Sequence, residues 1–119
     1  FNHGQMRRDF TYVGDVTRVM LRLVDLVPKT EEGDPAAAPA RIYNVGNHRP
    51  EELMHVVALL EQGFGRTAIK EMLPMQPGDV PETFADVDAL MRDVAFKPET
   101  AIEDGVRSFV SWYRGYYGV

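Results

Sequence analysis

A chain of 119 residues, 45% of them apolar, holds one domain with one modest core. Its net charge of -5 and isoelectric point near 5.1 exclude the broad basic surface that nucleic-acid binding needs. Without cysteine it forms neither a disulfide framework nor a thiolate metal site, which fits a reducing, cytoplasmic setting. The apolar runs fall short of the roughly 20 residues that cross a bilayer, and the opening "FNHGQMRRDF" lacks the apolar core of a signal peptide.

Met6 to Val13 alternates like a strand, with Phe10 and Tyr12 on one face, and Gly14-Asp15 break it. "DVTRVMLRLVDLV" then predicts a helix that Asp15 caps and Pro28 closes, with Val16, Val19, Met20, Leu23 and Val27 on one stripe. "KTEEGDPAAAPA" reads as a solvated loop. "RIYNVGN" reads as a short buried strand, with Asn44 holding the turn after it. A helix follows from Pro50, burying Leu53, Val56, Val57 and Leu60 and ending at Gly63 or Gly65.

"TAIKEMLPM" predicts a third strand, and "QPGDVPETFAD" is a proline-glycine loop leading to the helix "DVDALMRDVAF", whose Leu90, Met91 and Val94 face inward. Thr100 and Glu103 have the spacing of a capping box, opening a last helix with Ile102, Val106, Phe109, Val110 and Tyr113 on its stripe. The order is an α/β alternation of short strands with about four helices and no internal repeat. Three short strands are thin cover for four helices, and a chain that begins almost on a strand has the look of part of a longer protein.

Most candidate chemistry dissolves on inspection. Gly63, Gly65 and Ala68 match the G-x-G-x-x-A form of a dinucleotide fingerprint, but a helix precedes them where a strand should, so they read as helix-ending glycines. His3, His48 and His55 contain no i, i+4 pair, and the last two would lie about 10 Å apart along a helix, so no metal site is expected. Asp86, Asp88 and Asp93 read as partners of a helix dipole or as solvated surface. There is no G-x-S-x-G elbow, and no tyrosine is followed by lysine four residues on. Trp112, Tyr113, Tyr116 and Tyr117 read as anchors of the last helix. Arg7 and Arg8 point to opposite faces of a strand, so at most one enters a given pocket and the other forms a surface ion pair.

Taken in order, "FNHGQMRRDFTYVGDV", "RIYNVGN", "LPMQPGDVPETFADVDAL" and "FKPETAIEDGVRSFVSWYRGYY" resemble the C-terminal portion of NAD-dependent nucleotide-sugar epimerases and dehydratases, the extended short-chain dehydrogenase/reductase family. They span nearly the whole chain. "MRRDFTYV", "MQPGDVP" and the final "WYR" with "YY" resemble the UDP-glucuronate 4-epimerases rather than the galactose epimerases. The resemblance implies the substrate-binding part of a Rossmann-type enzyme over residues 1–119, with the N-terminal NAD-binding half absent. It implies that Arg8 binds the UDP-sugar diphosphate, as a planar guanidinium suits, and that Asp79 accepts hydrogen bonds from the uridine ribose. Galactose epimerases carry a second phosphate-binding arginine where Gln76 stands, which leaves Gln76 a neutral hydrogen bond, and Thr83 falls near a sugar-contacting position.

The resemblance further implies an intact enzyme that interconverts UDP-glucuronate and UDP-galacturonate through NAD. This stretch carries neither the glycine-rich NAD loop nor the Tyr-x-x-x-Lys acid/base pair, so alone it is expected to bind no cofactor and to be inactive. Its expected partners are a UDP-sugar, the N-terminal Rossmann portion, and a second copy of itself through exposed edges, with neither nucleic acid nor membrane among them. A related dehydratase or UDP-glucuronate decarboxylase would share the same lobe, and a stand-alone binding module would keep Arg8 and Asp79 without catalysis.

Overall fold

The computed structural model describes residues 1–28 and 39–119. The expected loop from Lys29 to Ala40 lies almost wholly outside them. A 3-10 turn at Asn2–Gly4 leads into β1 (Arg7–Arg8), then come α1 (Val13–Val24), β2 (Glu51–Glu52), α2 (Leu53–Phe64), α3 (Asp88–Val94) and α4 (Ile102–Tyr117). The four expected helices are present. β1 and β2 pair antiparallel, Arg7 opposite Glu52 and Arg8 opposite Glu51. On its other edge Arg7 bridges in parallel to Glu82.

Apolar packing gathers in two small clusters. Val19, Leu90 and Val94 join α1 to α3, with Leu23, Tyr43, Val45 and Phe96 against them. Val56, Val106 and Val110 join α2 to α4, with Phe10, Leu59, Leu60, Phe64 and Ile102 around them. α2 ends where the glycines predict, at Gly65 in the left-handed conformation.

The expected strands are mostly not formed. Only Arg7–Arg8 of the first is strand: the Tyr12 carbonyl accepts from the amides of Asp15 and Val16, and the chain is already helical at Val13. "RIYNVGN" is irregular, although Tyr43 and Val45 still pack on the α1–α3 cluster. "TAIKEMLPM" is irregular too, with Ile69 fully exposed. Strand propensity acts only where a neighbouring strand completes the ladder, and for these segments the described residues supply none.

Two expected caps are also reassigned. Asp15 sits inside the first turn of α1, 2% exposed, and its carboxylate accepts from the Thr100 amide at 3.0 Å and from Arg18 Nη1 at 2.7 Å. It ties α1 to the start of α4 instead of capping its own helix. The N-cap of α4 is Ala101, without a side-chain cap, and Glu103 pairs with His55 of α2 at 3.1 Å. Asn44, expected to hold the turn after "RIYNVGN", is exposed, and Asn47 instead ties that segment to the residue before α4's N-cap, its Nδ2 donating to the Thr100 carbonyl at 3.2 Å.

Met20 and Val27, placed on the inner stripe by spacing, are exposed, as is Phe109. Of the four terminal aromatics only Tyr113 reaches across, edge-on to Phe64 of α2 at 5.3 Å. Trp112 stacks on Tyr116 at 5.5 Å along the surface of α4, and both are exposed with Tyr117. No helix among the described residues is long and apolar enough to cross a membrane.

Candidate functional site

β1 runs between two other segments and brings most of the expected site residues together. On one side the Met6 carbonyl accepts from the Leu53 amide at 2.9 Å. On the other, the Arg7 amide donates to the Pro81 carbonyl at 2.8 Å and the Thr83 amide donates to the Arg7 carbonyl at 3.2 Å. The loop from Gln76 to Ala85 is thereby laid along the arginine pair.

The head of that loop is a turn written in its sequence. Gln76-Pro77-Gly78-Asp79 closes with the Asp79 amide donating to the Gln76 carbonyl at 3.2 Å, and Gly78 has φ 84°. Proline then glycine at the two central positions is the chemistry a type II turn requires. The turn delivers Asp79 to Arg8: Nη2 of Arg8 lies 2.9 Å from Oδ1 of Asp79, with the two side chains 26% and 32% exposed. Nη1 of Arg8 donates to the carbonyls of Arg7 and Pro81 at 2.8 and 3.2 Å, which fixes the plane of the guanidinium. Oδ1 of Asp79 also accepts from the Val80 amide at 2.8 Å, and among the described residues no hydrogen bond falls on Oδ2.

Arg7 points away, as the strand alternation predicts. Its Nε pairs with Glu82 at 3.3 Å, both side chains about half exposed, and its Nη2 donates to the Pro50 carbonyl. Thr83 is in the same strip, its Oγ1 accepting from the Asp9 amide at 3.3 Å. It lines a shallow recess of about 350 Å³ with Asp9, Thr11, Asn44, Gly46 and Ala85. Gln76 lies at the outer end of the turn, exposed.

Sequence reasoning passes over Asp9. Its carboxylate accepts from the amides of Asn47, His48 and Ala85 at 3.0 to 3.1 Å, joining three segments distant in sequence. Nothing local marks it, since an acid after two arginines reads as their ion-pair partner, and the donors that it accepts from lie 38 to 76 residues away. His48, with φ 56°, rests its ring on Phe84 at 4.3 Å, and its Nδ1 lies 3.0 Å from the Ala85 carbonyl. His55 meets Glu103, whose carboxyl a backbone hydrogen bond and then His55 and Arg49 hold below its ordinary value. Among the described residues no group of three or more His, Asp and Glu side chains forms a metal cluster.

The strip is one edge of the molecule, and a larger apolar groove is another. Between the start of α1 and the facing sides of α2 and α4 lies an open groove of about 840 Å³, lined by Phe10, Tyr12, Leu60, Ile102, Phe109 and Trp112. Val13 of α1 is exposed in its lining, and Leu21 and Val24 of the same helix are exposed outside it. A helix apolar on both faces is one that ordinarily has cover on both.

No family model matches the chain. It is 49% identical, over its full length, to an uncharacterized 37.6 kDa protein of Escherichia coli O111:H- and covers 38% of it. It is 44% identical to a probable UDP-glucuronate 4-epimerase of Rhizobium meliloti, over 95% of this chain and 36% of that protein. The chain thus spans between about a quarter and a little over a third of the length of the curated relatives it matches. Among solved structures it superposes on MoeE5 in complex with UDP-glucuronic acid and NAD with a TM-score of 0.79, at 22% identity, over 98% of this chain and 36% of that one. That likeness is one of fold, a Rossmann-type epimerase fold in which this chain supplies helices and a two-stranded sheet. With relatives this near in sequence and that fold in common, the chain belongs to the NAD-dependent nucleotide-sugar epimerase/dehydratase family, which includes the UDP-glucuronate 4-epimerases.

Proposed function

We propose that this chain is the UDP-sugar-binding part of a nucleotide-sugar 4-epimerase that interconverts UDP-glucuronate and UDP-galacturonate. The observation that carries the reading is the pairing of Arg8 with Asp79 on a half-open edge, in a chain whose relatives include UDP-glucuronate 4-epimerases. The carbonyls of Arg7 and Pro81 engage Nη1 of Arg8 and fix the guanidinium plane, and the N–H groups left on Nε and Nη2 are the edge it offers to the diphosphate. Asp79 accepts from the ribose hydroxyls through Oδ2, a role that needs an acceptor-only group. Thr83 contacts the sugar from the recess, and Gln76 contributes a neutral amide from the exposed end of the turn that carries Asp79.

The residues here do not fit NAD. Gly63 lies within α2 and Gly65 ends it, so the glycines stand at a helix C-terminus, where the dipole repels a pyrophosphate. Oxidation and reduction of the sugar belong to an NAD-binding half of the whole protein, and this part contributes positioning. The groove beside Phe109 and Trp112 and the outer face of α1 are the surfaces we assign to that half, because they are apolar and exposed. Without it, two copies of this chain would pair through the same surface. The lack of cysteine supports a cytoplasmic setting.

An NMR titration with UDP-glucuronate, UDP-galactose and UDP tests the reading. Saturable shifts at the amides of residues 7–9 and 79–83 are expected, and Arg8→Ala should weaken UDP binding about 10- to 100-fold, the worth of charge-assisted hydrogen bonds. Equal affinity in the variant would sink the proposal.

A further inference from the structure

Around Asp9, one carboxylate is asked to hold three pieces of chain. Oδ1 accepts from the Asn47 amide at 3.0 Å, and Oδ2 accepts from the amides of His48 and Ala85 at 3.1 Å each. The Asp9 amide meanwhile donates to Thr83 Oγ1 at 3.3 Å. These bonds close the far end of the Gln76 to Ala85 loop onto β1. Its middle is already held by the Arg7 amide and carbonyl, and its near end presents Asp79 to Arg8.

An independent feature points the same way. A Cβ on Gly46 would come within 2.8 Å of Asp9 Oδ2 and would run into the Ala85 side chain, so the 46–48 loop reaches the carboxylate only because residue 46 is glycine. Three converging amides and a tailored approach are more than a surface acid needs. They build a cradle of N–H donors that an ionised carboxylate satisfies and an amide does not, since an amide offers one acceptor oxygen and turns N–H donors toward other donors.

We infer that Asp9 is a positioning residue for the UDP site: by clamping residues 46–48 and 83–85 to β1 it holds the register in which Arg8 and Asp79 meet. Asp9 does not itself touch the ligand. The inference rests on the reading of Arg8 as a diphosphate ligand, and it has a consequence for mutation. Loss of the Asp9 clamp displaces Arg8 and its partner loop together, so its effect on UDP runs through Arg8 and Asp79 at once and should shrink, without vanishing, when Arg8 is already gone.

The test is a double-mutant cycle on the whole chain with UDP as probe, using Asp9→Asn, Arg8→Ala and the pair, with amide hydrogen exchange on each. Asp9→Asn is expected to weaken UDP about tenfold, the scale of a lost charge-assisted hydrogen bond, and to have a clearly smaller effect in the Arg8→Ala background, where only Asp79 is left to be positioned. Without ligand, the amides of Arg7 and Thr83 should lose protection while those inside α2 and α4 keep theirs. Parent-like UDP affinity in Asp9→Asn, or effects that multiply in the pair, would overturn the inference. If Arg8→Ala binds UDP as tightly as the parent, or the parent binds none, it is the diphosphate reading that fails. Exchange then decides the clamp alone, with unchanged protection at Arg7 and Thr83 refuting it. Should Asp9→Asn not fold, Gly46→Ala carries the same cycle, since it forces the loop off the carboxylate.

Discussion

The helices meet through apolar side chains, Val19 with Leu90 and Val94 at one contact and Val56 with Val106 and Val110 at the other, whereas the strip around β1 meets through hydrogen bonds to carboxylates and carbonyls. The difference teaches where each part is vulnerable. Apolar burial is non-directional and roughly proportional to area, so a helix contact loses stability when volume is removed. A hydrogen-bonded strip depends on direction, so one atom changed there moves the geometry of a site while the helices stay packed. Stability and binding should therefore separate by region.

The strongest way to break that separation is Leu90→Ala. Leu90 is 1% exposed between α1 and α3, and its truncation should cost about 2–5 kcal/mol, read as a lower urea midpoint. If UDP affinity of the folded fraction fell as much, the two regions would be one cooperative unit. Arg8→Ala is the reverse arm: its UDP affinity should collapse, while the half-open pair with Asp79 is worth under about 1 kcal/mol of stability.

Acid sharpens the comparison at a point where polar groups brace an apolar cluster. Asp93 accepts from the Tyr43 hydroxyl at 3.0 Å and pairs with Arg41 and Arg92. Burial pushes its carboxyl up, but the hydrogen bonds from Tyr43 and Arg92 and the charges of both arginines outweigh it and hold it below its ordinary value. The unfolded chain therefore takes up this proton first as the pH falls. The contribution is complete above the unfolded value and is lost as pH drops through the lower folded one. Asp93→Asn should flatten the loss of stability below about pH 4, measured by urea unfolding across pH. An unchanged acid slope would assign that loss to other carboxylates.

The smallest effect belongs to Arg7→Ala. Its ion pair with Glu82 is about half exposed on both sides, so stability should change by under about 1 kcal/mol and UDP affinity should hold within experimental error. A large loss of affinity there would mean that the two arginines act together and that the strand alternation does not separate their roles.

By itself the sequence determined what local chemistry fixes: the four helices, from apolar spacing, and the end of α2 at Gly65, because only glycine takes a left-handed φ freely. It determined the Pro77-Gly78 turn for the same reason and the divergence of Arg7 from Arg8 through the alternation of side chains along a strand, and the family motifs named the residues to watch. Tertiary structure alone decided what depends on a distant partner. Residues 41–47 and 67–75 have strand-forming side chains but no neighbouring ladder among the described residues, so they stay irregular. Asp15 resembles a cap and serves Thr100, 85 residues on, while Asp9 gathers amides from positions 47, 48 and 85. A carboxylate's preference for N–H donors is written in its chemistry, but which donors arrive is settled only when the chain has folded.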